Sequence, residues 1–270
     1  MTAPRETVIV ADVGNTRIKL AVVVAGAASA RLPAVAHRQD LVSREFRAAN
    51  LKDWLDRAAP GPAIVYAASV HEAAATGLEA AIAEVAATGH RIVRQRRITA
   101  AHVGMPVEVD EPERVGIDRV AAAAAAAAAK EGARPAIVID CGTATTVDLV
   151  SADGRFLGGA ILPGPGLLAR ALAEGTSRLP AVADLDTGMP PSMPGRNTQR
   201  AIAAGIGFGM RGAVARLVAE AAAAVGGDPQ VFLTGGSRGI VRDALTAAIE
   251  IPDLVLHGIA LAAGRLQSRP

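Results

Sequence analysis

Apolar and polar positions along the first half of the chain predict a hairpin, a third strand, and then alternating helices and strands. Runs of β-branched residues between short polar breaks are typical of strands, whereas apolar residues three and four positions apart are typical of helices. The predicted elements are a hairpin at 7–24, strands at 29–38, Ala63–Ser69 and Arg91–Arg96, and helices at Phe46–Ala58 and Ala73–Ala87. This order, β-β-β-α-β-α-β, indicates a mixed sheet covered by helices.

The second half repeats nearly the same order. Its predicted elements are a hairpin at 137–150, strands at Phe156–Leu162, Val231–Leu233 and Leu254–Leu256, helices at Leu167–Glu174, Thr198–Val225, Ile240–Ile249 and His257–Leu266, and a loop at Thr176–Pro194. Between the halves, the alanine-rich run Val120–Lys130 has a high helix propensity. Two copies of one plan predict an α/β fold with two domains, 1–117 and 118–270, the second beginning with a linking helix at 118–131. We expect a cleft between the two domains.

The first hairpin carries polar residues at the point where its first strand ends. In VIVADVGNTRIKLAVVV, Asp12 ends the strand, Gly14, Asn15 and Thr16 form the tip, and Lys19 follows in the second strand. Glycine and asparagine tolerate the positive φ of many hairpin tips, and backbone N–H groups beside a hydroxyl and a cation suit phosphate. An ordinary hairpin would use the same residues, so this stretch alone leaves both interpretations open.

A second hairpin of the same kind favours the phosphate interpretation. In IVIDCGTATTVDLV, Asp140 ends a strand, and Gly142 and Thr143 precede the next strand. Asp12 and Asp140 would approach one polyphosphate only with a cation between them, which predicts Mg²⁺ held through oxygen ligands. We therefore expect the two hairpins to bind different parts of one nucleotide.

Two further stretches are candidates for the nucleoside and for the acceptor. Gly235 and Gly236 follow a strand, where a purine or ribose could lie, although an ordinary strand-to-helix turn is the alternative. Asp118 is predicted in the first turn of a helix, where it could accept a proton from a hydroxyl that attacks a γ-phosphate, or only cap the helix. Arg119 could hold an anionic substrate or form a surface ion pair.

Composition narrows the class of protein and its compartment. The chain of 270 residues has a net charge of +2 and a single cysteine, Cys141, so no internal disulfide can form and a reducing cytoplasm is expected. We expect Cys141 to pack in the core. The densest basic run, Arg91–Arg97, lacks aromatic neighbours for base stacking, which predicts no nucleic-acid partner. Apart from the alanine tract, no run reaches the ~20 apolar residues of a membrane span without a break, which predicts no membrane partner.

Taken together, these motifs resemble those of the type III pantothenate kinase family, in the superfamily of acetate and sugar kinases, heat-shock ATPases and actin. The matching segments are Asp12–Thr16, Gly116–Arg119, Asp140–Asp148, Gly158–Ile161, Pro163–Gly164, Thr176–Pro180, Asn197–Thr198, Leu233–Gly236 and Pro252–Gly258. They cover nearly the whole chain, and Asp140–Asp148 is the most specific. The resemblance implies two ribonuclease-H-like domains of the actin-like ATPase type, with the order β-β-β-α-β-α(-β)-α. It also implies ATP-dependent phosphorylation of pantothenate to 4′-phosphopantothenate, the first step of coenzyme A synthesis.

The resemblance implies a role for individual residues. In the nucleotide site, Asp12 would hold Mg²⁺ and Asp140 would lie near K⁺ or NH₄⁺. The ATP phosphates and adenosine would contact Gly14, Asn15, Thr16, Lys19, Gly142, Thr143, Ala144, Thr145, Gly235 and Gly236. In the acceptor site, Asp118 would be the general base and Arg119 the pantothenate anchor. The other residues of that site would be Val109, Gly116, Ile117 and Thr176, with Thr176 acting across a homodimer interface.

The sequence departs from the family pattern at two places, and it leaves two other functions open. Val109 stands where the family often has an aromatic residue, and His71–Glu72 replaces the end of a Ser-Val-x-Pro element. One alternative is a nucleotide-binding transcriptional regulator of the same fold without kinase activity. A regulator would not need a base beside its nucleotide, so Asp118 argues against this reading. The other alternative is a kinase for a different small hydroxyl compound.

Overall fold

The computed structural model describes residues 6–24, 29–89, 92–183, 185 and 192–268. By its contacts the chain separates into two compact units, each with its own five-stranded sheet. The first unit comprises residues 1–106, 110–129 and 254–270, and the second comprises 107–109 and 130–253. This grouping differs from the predicted boundary between residues 117 and 118, because the linking helix and the last helix pack with the first sheet.

The first sheet contains a hairpin, an antiparallel edge strand and two parallel strands. Its strands are β1 (Thr7–Val13), β2 (Arg17–Val24), β3 (Ala34–Val42), β4 (Ala63–Ser69) and β5 (Ile92–Arg97), in the spatial order β3-β2-β1-β4-β5. The helices are α1 (Ala48–Ala58), α2 (Glu72–Ala87), α3 (Ala100–Val103), α4 (Ile117–Ala129) and α7 (Leu254–Gln267). Alternate residues of β1, including Ile9, Ala11 and Val13, pack with α1 and α2, so Asp12 points to the opposite face.

Helices α4 and α7 pack against each other in this unit because glycine and alanine let their backbones approach closely. A Cβ built on Gly258 would lie only 2.0 Å from the carbonyl oxygen of Ala121 and 2.4 Å from its carbonyl carbon. The nine consecutive alanines of α4 therefore do more than favour a helix. Their small side chains let the backbone of α7 approach α4 closely.

We expect Gly258→Ala to lower the free energy of unfolding by roughly 1–3 kcal/mol, because an added methyl group overpacks the contact with Ala121. Chemical denaturation followed by circular dichroism measures this change. Gly264→Ala is the matched control in the same helix, since a Cβ there has no neighbour within 4 Å. The control should be neutral or stabilise the protein by up to about 1 kcal/mol, because alanine has the higher helix propensity. Equal stability of the two variants would contradict the packing argument.

The second sheet has the same strand order as the first. Its strands are β6 (Ala136–Cys141), β7 (Ala144–Val150), β8 (Phe156–Pro163), β9 (Gln230–Thr234) and β10 (Ile249–Glu250). Read from the edge that corresponds to β3, their spatial order is β8-β7-β6-β9-β10. Helices α5 (Pro165–Glu174) and α6 (Thr198–Val225) belong to this unit. Ile139, Cys141 and Val147 pack with Ile206 and Met210 of α6, so the expected burial of Cys141 is confirmed. In both sheets the first hairpin strand pairs in parallel with the fourth strand of its unit, β4 after α1 and β9 after α6.

Helix α6 is the one described helix that is long and apolar enough, by length and composition, to cross a membrane. Such a helix is weak evidence for a span, because the core helices of globular proteins pass the same test. One side of α6 contributes to the core of the second unit. Beside it lies an apolar groove of about 620 Å³, lined mainly by Leu162, Leu168, Leu172, Leu179, Ile202, Ile206 and Met210.

Most predicted elements are confirmed, but two are wrong. The segment predicted as the helix Ile240–Ile249 forms two short 3₁₀ turns, and its end pairs with β9 as β10. The predicted strand Leu254–Leu256 is the first turn of α7. Its three residues are all buried, and a short apolar run does not distinguish a strand from a buried helix.

Two smaller differences concern β3 and a short helix, and one predicted loop is described only in part. The third strand was expected at 29–38, but β3 runs from Ala34 to Val42, because the backbone of Gln39–Val42 still pairs with β2. The short helix α3 was not predicted. The predicted loop Thr176–Pro194 lies outside the described residues at 184 and 186–191.

Candidate active site

The tip of the first hairpin is a short exposed loop between β1 and β2. The Gly14 N–H donates to the Arg17 carbonyl at 2.9 Å and closes the turn. Ser43, just after β3, donates twice to this loop, from its hydroxyl to the Gly14 carbonyl at 3.0 Å and from its N–H to the Thr16 carbonyl at 2.9 Å. Neither Gly14 nor Asn15 has a positive φ, so the expectation of a left-handed tip is wrong. The loop is held by the bond from Gly14 to Arg17 and by the two bonds from Ser43, without a left-handed residue.

Asp12 and Lys19 face each other across the hairpin below this tip. The two residues are register partners, and the Lys19 Nζ lies 3.3 Å from Asp12 Oδ2. Asp12 is only 8 % exposed. Among the described residues there is no group of three or more histidine, cysteine or acidic side chains that could hold a metal. A lone carboxylate fits Mg²⁺, which is usually held by one or two carboxylates together with waters and substrate phosphates.

Asp118 lies in the first turn of α4, at the end of the first sheet that also carries the hairpin tip. Its Oδ1 accepts a hydrogen bond from the Arg119 N–H at 2.8 Å, so one carboxylate oxygen is engaged by the first turn of the helix. A Cβ on Gly116 would lie 2.5 Å from that oxygen and 3.5 Å from Val70 Cγ1. Val70 in turn donates to the carbonyl of Val13, the last residue of β1, at 3.2 Å. Gly116 therefore leaves room for the carboxylate close to the strand that carries Asp12.

The second hairpin and the glycine pair after β9 meet in the second unit. A Cβ on Gly235, whose φ is +93°, would lie 2.3 Å from the Cys141 carbonyl oxygen and 2.5 Å from Asp140 Oδ1. Ser237 also donates to the Cys141 carbonyl, at 2.9 Å. These contacts show that Asp140 and Gly235 lie side by side at one edge of the second sheet.

Gly164, just after β8, packs against the turn of the second hairpin. Its N–H donates to the Thr143 carbonyl at 3.0 Å, and a Cβ there would lie 2.2 Å from the Gly142 carbonyl oxygen. The backbone at Gly164 thus packs closely on Gly142–Thr143, as the backbone at Gly235 packs closely on Asp140 and Cys141. Thr143 itself is exposed and Gly142 is half-buried.

Two arginine side chains and one glutamate form an ion-pair cluster next to Gly235. Arg238 donates to the Gly235 carbonyl at 3.0 Å and to Glu250 Oε2 at 3.2 Å. Arg242 binds the same carboxylate with two nitrogens, one at 2.8 Å. Hydrogen bonds from Arg242, and secondarily from Arg238, lower the pKa of Glu250. This ion-pair cluster joins the two ends of the segment Ile240–Ile249 that was predicted to be a helix: Arg238 and Glu250 flank it, and Arg242 lies within it.

Three predicted site residues have contacts of a different kind. Thr145 is fully buried on the face of β7 that packs in the core, and its Oγ1 has no hydrogen-bond partner among the described residues. Thr176 is exposed, and its hydroxyl donates to the Leu172 carbonyl at 2.7 Å and accepts from the Leu179 N–H at 3.3 Å. Val109 lies beside Gly158, where a Cβ would be 3.4 Å from its Cγ1. The roles expected for these residues stay predictions.

Sequence reasoning missed Ser43 and gave no role to Gly164. Ser43 stands in no motif, and only the pairing of β3 with β2 brings it to the loop. Gly164 was visible as part of Pro163-Gly164-Pro165-Gly166, where a glycine between two prolines indicates a turn with a special backbone position.

Comparison with known proteins identifies the family. The family model for type III pantothenate kinase matches residues 8–220. The chain belongs to the type III pantothenate kinase family. A type III pantothenate kinase from Rhodopirellula baltica is 37 % identical, covering 92 % of this chain and 95 % of that protein. Another from Halorhodospira halophila is 39 % identical, covering 92 % and 94 %. The family indicated by the motifs is confirmed, and with it the predicted enzyme class.

Solved structures of low sequence identity show the fold. A protein described as a Baf family transcriptional activator, from Campylobacter jejuni, has a TM-score of 0.57 at 17 % identity, covering 96 % of this chain and 98 % of that one. A protein described as a 2-dehydro-3-deoxygalactonokinase, from Sinorhizobium meliloti, has a TM-score of 0.56 at 20 % identity, covering 97 % of each chain. Together with the two matching sheets, these similarities confirm the predicted α/β fold class of two ribonuclease-H-like domains.

Proposed function

We propose that this pantothenate kinase family member transfers the γ-phosphate of ATP to the hydroxyl of pantothenate and forms 4′-phosphopantothenate, the first step toward coenzyme A. The observation that carries the proposal is the family match over residues 8–220, with relatives similar over nine tenths of the chain. The geometry of each unit supports it, because glycine-containing loops and a carboxylate lie together at one end of each sheet. ATP and a divalent metal follow from the kinase class.

On the nucleotide side, the loop residues Gly14, Asn15, Thr16, Gly142, Thr143 and Ala144 would contact phosphate, with Lys19 as a nearby cation. Gly235 and Gly236 would border adenosine. Asp12 would hold Mg²⁺, which when bound neutralises phosphate charge and polarises the transferred group. We further propose that Asp140 lies near K⁺ or NH₄⁺, because its Oδ1, beside the Gly235 backbone at the edge of the sheet, is an anionic oxygen that attracts a cation. The hydroxyl of Thr145 is buried, so this residue would support the phosphate loop by packing beneath it rather than by contacting phosphate directly.

On the acceptor side, Asp118 would accept the proton of the pantothenate hydroxyl as that oxygen attacks phosphorus. The Arg119 N–H holds Oδ1 at 2.8 Å, so the orientation of the carboxylate is restricted before substrate binds. Arg119 would bind the pantothenate carboxylate, for which a guanidinium has the matching geometry. Gly116, Ile117, Val109 and Thr176 would border the acceptor.

Four further expectations are proposals about partners and location. A homodimer is supported by the apolar groove beside α6 and by the exposed Phe208 on that helix. A cytoplasmic location is supported by the single, buried cysteine. The lack of a nucleic-acid partner is supported by the ion pairs of Arg97 with Glu72 and Glu79, which neutralise part of the basic run. The lack of a membrane partner is supported by the core packing of α6.

The test of this function is an acceptor assay. Purified protein with ATP, Mg²⁺ and K⁺ is expected to convert pantothenate to a product that ³¹P NMR and mass spectrometry identify as 4′-phosphopantothenate. A panel of other small alcohols in the same assay is expected to give much lower kcat/KM. Phosphorylation of another alcohol in preference to pantothenate would replace the substrate, and ATP binding without turnover of any acceptor would favour the regulator.

A further inference from the structure

Ser43, directly after β3, makes two hydrogen bonds to the first hairpin tip. Its hydroxyl donates to the Gly14 carbonyl at 3.0 Å, and its N–H donates to the Thr16 carbonyl at 2.9 Å. The second bond continues the pairing of β2 with β3, in which Arg17 lies opposite Val42. The first bond is different, because it reaches across the hairpin to a residue that follows β1.

The hydroxyl bond determines the direction in which the next amide points. A trans peptide is planar, so the carbonyl of one residue and the N–H of the next point in opposite directions. Because the Gly14 carbonyl points to Ser43, the Asn15 N–H points away from β3. Asn15 is exposed, and within the described ranges its N–H has no hydrogen-bond partner. An outward N–H at a strand-end turn is the kind of donor that binds phosphate oxygens.

We propose that Ser43 is a positioning residue for nucleotide phosphate: its hydroxyl fixes the Gly14–Asn15 peptide plane so that the Asn15 N–H faces the bound anion. This inference rests on the proposed function, in which the loop binds ATP. Ser43 itself would not touch the nucleotide. Without its hydroxyl, the Gly14 carbonyl loses its partner, and the peptide plane can rotate and withdraw the donor.

The experiment compares Ser43→Ala with Ser43→Thr. Loss of one hydrogen bond is expected to weaken Mg·ADP binding, measured by titration calorimetry, roughly 2- to 10-fold. KM for ATP should rise by a similar factor, whereas KM for pantothenate and kcat at saturating ATP should change less than about twofold. Ser43→Thr keeps a hydroxyl and should restore binding. Hydrogen exchange of the Asn15 amide should be faster in Ser43→Ala and slowed less by Mg·ADP.

Ser268→Ala is the matched control, because the Ser268 hydroxyl also donates to a backbone carbonyl, that of Gly264, at 2.9 Å. It should bind Mg·ADP as the unchanged protein does. Unaltered Mg·ADP affinity of Ser43→Ala would overturn the inference, and so would an equal rise of both KM values or a failure of Ser43→Thr to restore binding. Calorimetry needs no acceptor, so the inference can be supported even if pantothenate is not the substrate. If pantothenate is phosphorylated and Ser43→Ala binds Mg·ADP normally, only the inference fails.

Discussion

Replacing Asp118 by asparagine is expected to lower kcat for pantothenate phosphorylation by roughly 10²- to 10⁴-fold, because the variant loses its general base. Asparagine has nearly the same shape, and its side-chain oxygen can still accept the hydrogen bond from the Arg119 N–H that Asp118 Oδ1 accepts at 2.8 Å. The start of α4 should therefore keep its conformation. Steady-state kinetics with pantothenate measures kcat, and calorimetry with Mg·ADP should show less than a twofold change in affinity.

The control for this prediction is Glu113→Gln, which removes a carboxylate from the exposed turn before α4. It should keep kcat within about twofold. If Asp118→Asn retains most of its activity while its fold and nucleotide affinity are unchanged, Asp118 is only a helix cap. A parallel loss of thermal stability in Asp118→Asn would indicate that capping accounts for part of the effect, since the loss of a cap costs about 1 kcal/mol.

The second large effect is expected for Gly235→Ala. The residue has a φ of +93°, and an added Cβ would meet the Cys141 carbonyl oxygen at 2.3 Å and Asp140 Oδ1 at 2.5 Å. Both the left-handed backbone and the overpacking are unfavourable, so the free energy of unfolding should fall by roughly 2–4 kcal/mol. If the turn moves to relieve the contact, it displaces either Asp140 or the residues proposed to contact adenosine, Gly235 and Gly236. We therefore expect Mg·ADP affinity to fall roughly tenfold or more.

Gly236→Ala separates the cost of a methyl group from the cost of the close approach. A Cβ on Gly236 has no neighbour within 4 Å, and its φ is outside the left-handed region. This variant should unfold at nearly the same denaturant concentration as the unchanged protein. Calorimetry and denaturation measure both variants, and a Gly235→Ala protein with normal stability and affinity would show that the turn is not constrained.

The candidate site was largely predictable because its parts are local. Each phosphate-loop candidate is a strand, a carboxylate and a glycine within a few residues, and the repetition of that pattern at Asp12 and Asp140 indicated two related sheets. Their identical strand orders confirm this relation. The family was also within reach of the sequence, since the matching segments occur in order along nearly the whole chain.

The misassigned elements show where local pattern is insufficient. Leu254–Leu256 has the composition of a buried strand, yet it is helical because α7 is buried on several sides in the first unit. The segment after Gly236 has helical composition, but Glu250 binds Arg238 and Arg242 and the chain then pairs with β9. In both cases contacts with distant residues outweigh propensity, which contributes well under 1 kcal/mol per residue.

By itself the sequence determined the two hairpins, the repeated order of strands, the glycines of the loops, and the residues Asp12, Asp118, Arg119 and Asp140 as the chemical candidates. These features depend on neighbours within a few positions, where periodicity and residue type are sufficient evidence. Only the tertiary structure decided that α4 and α7 belong to the first unit, that Thr145 is buried, and that Ser43 and Gly164 brace the two loops. Those facts depend on strand pairing and backbone approach between residues far apart in the chain, which no local pattern encodes.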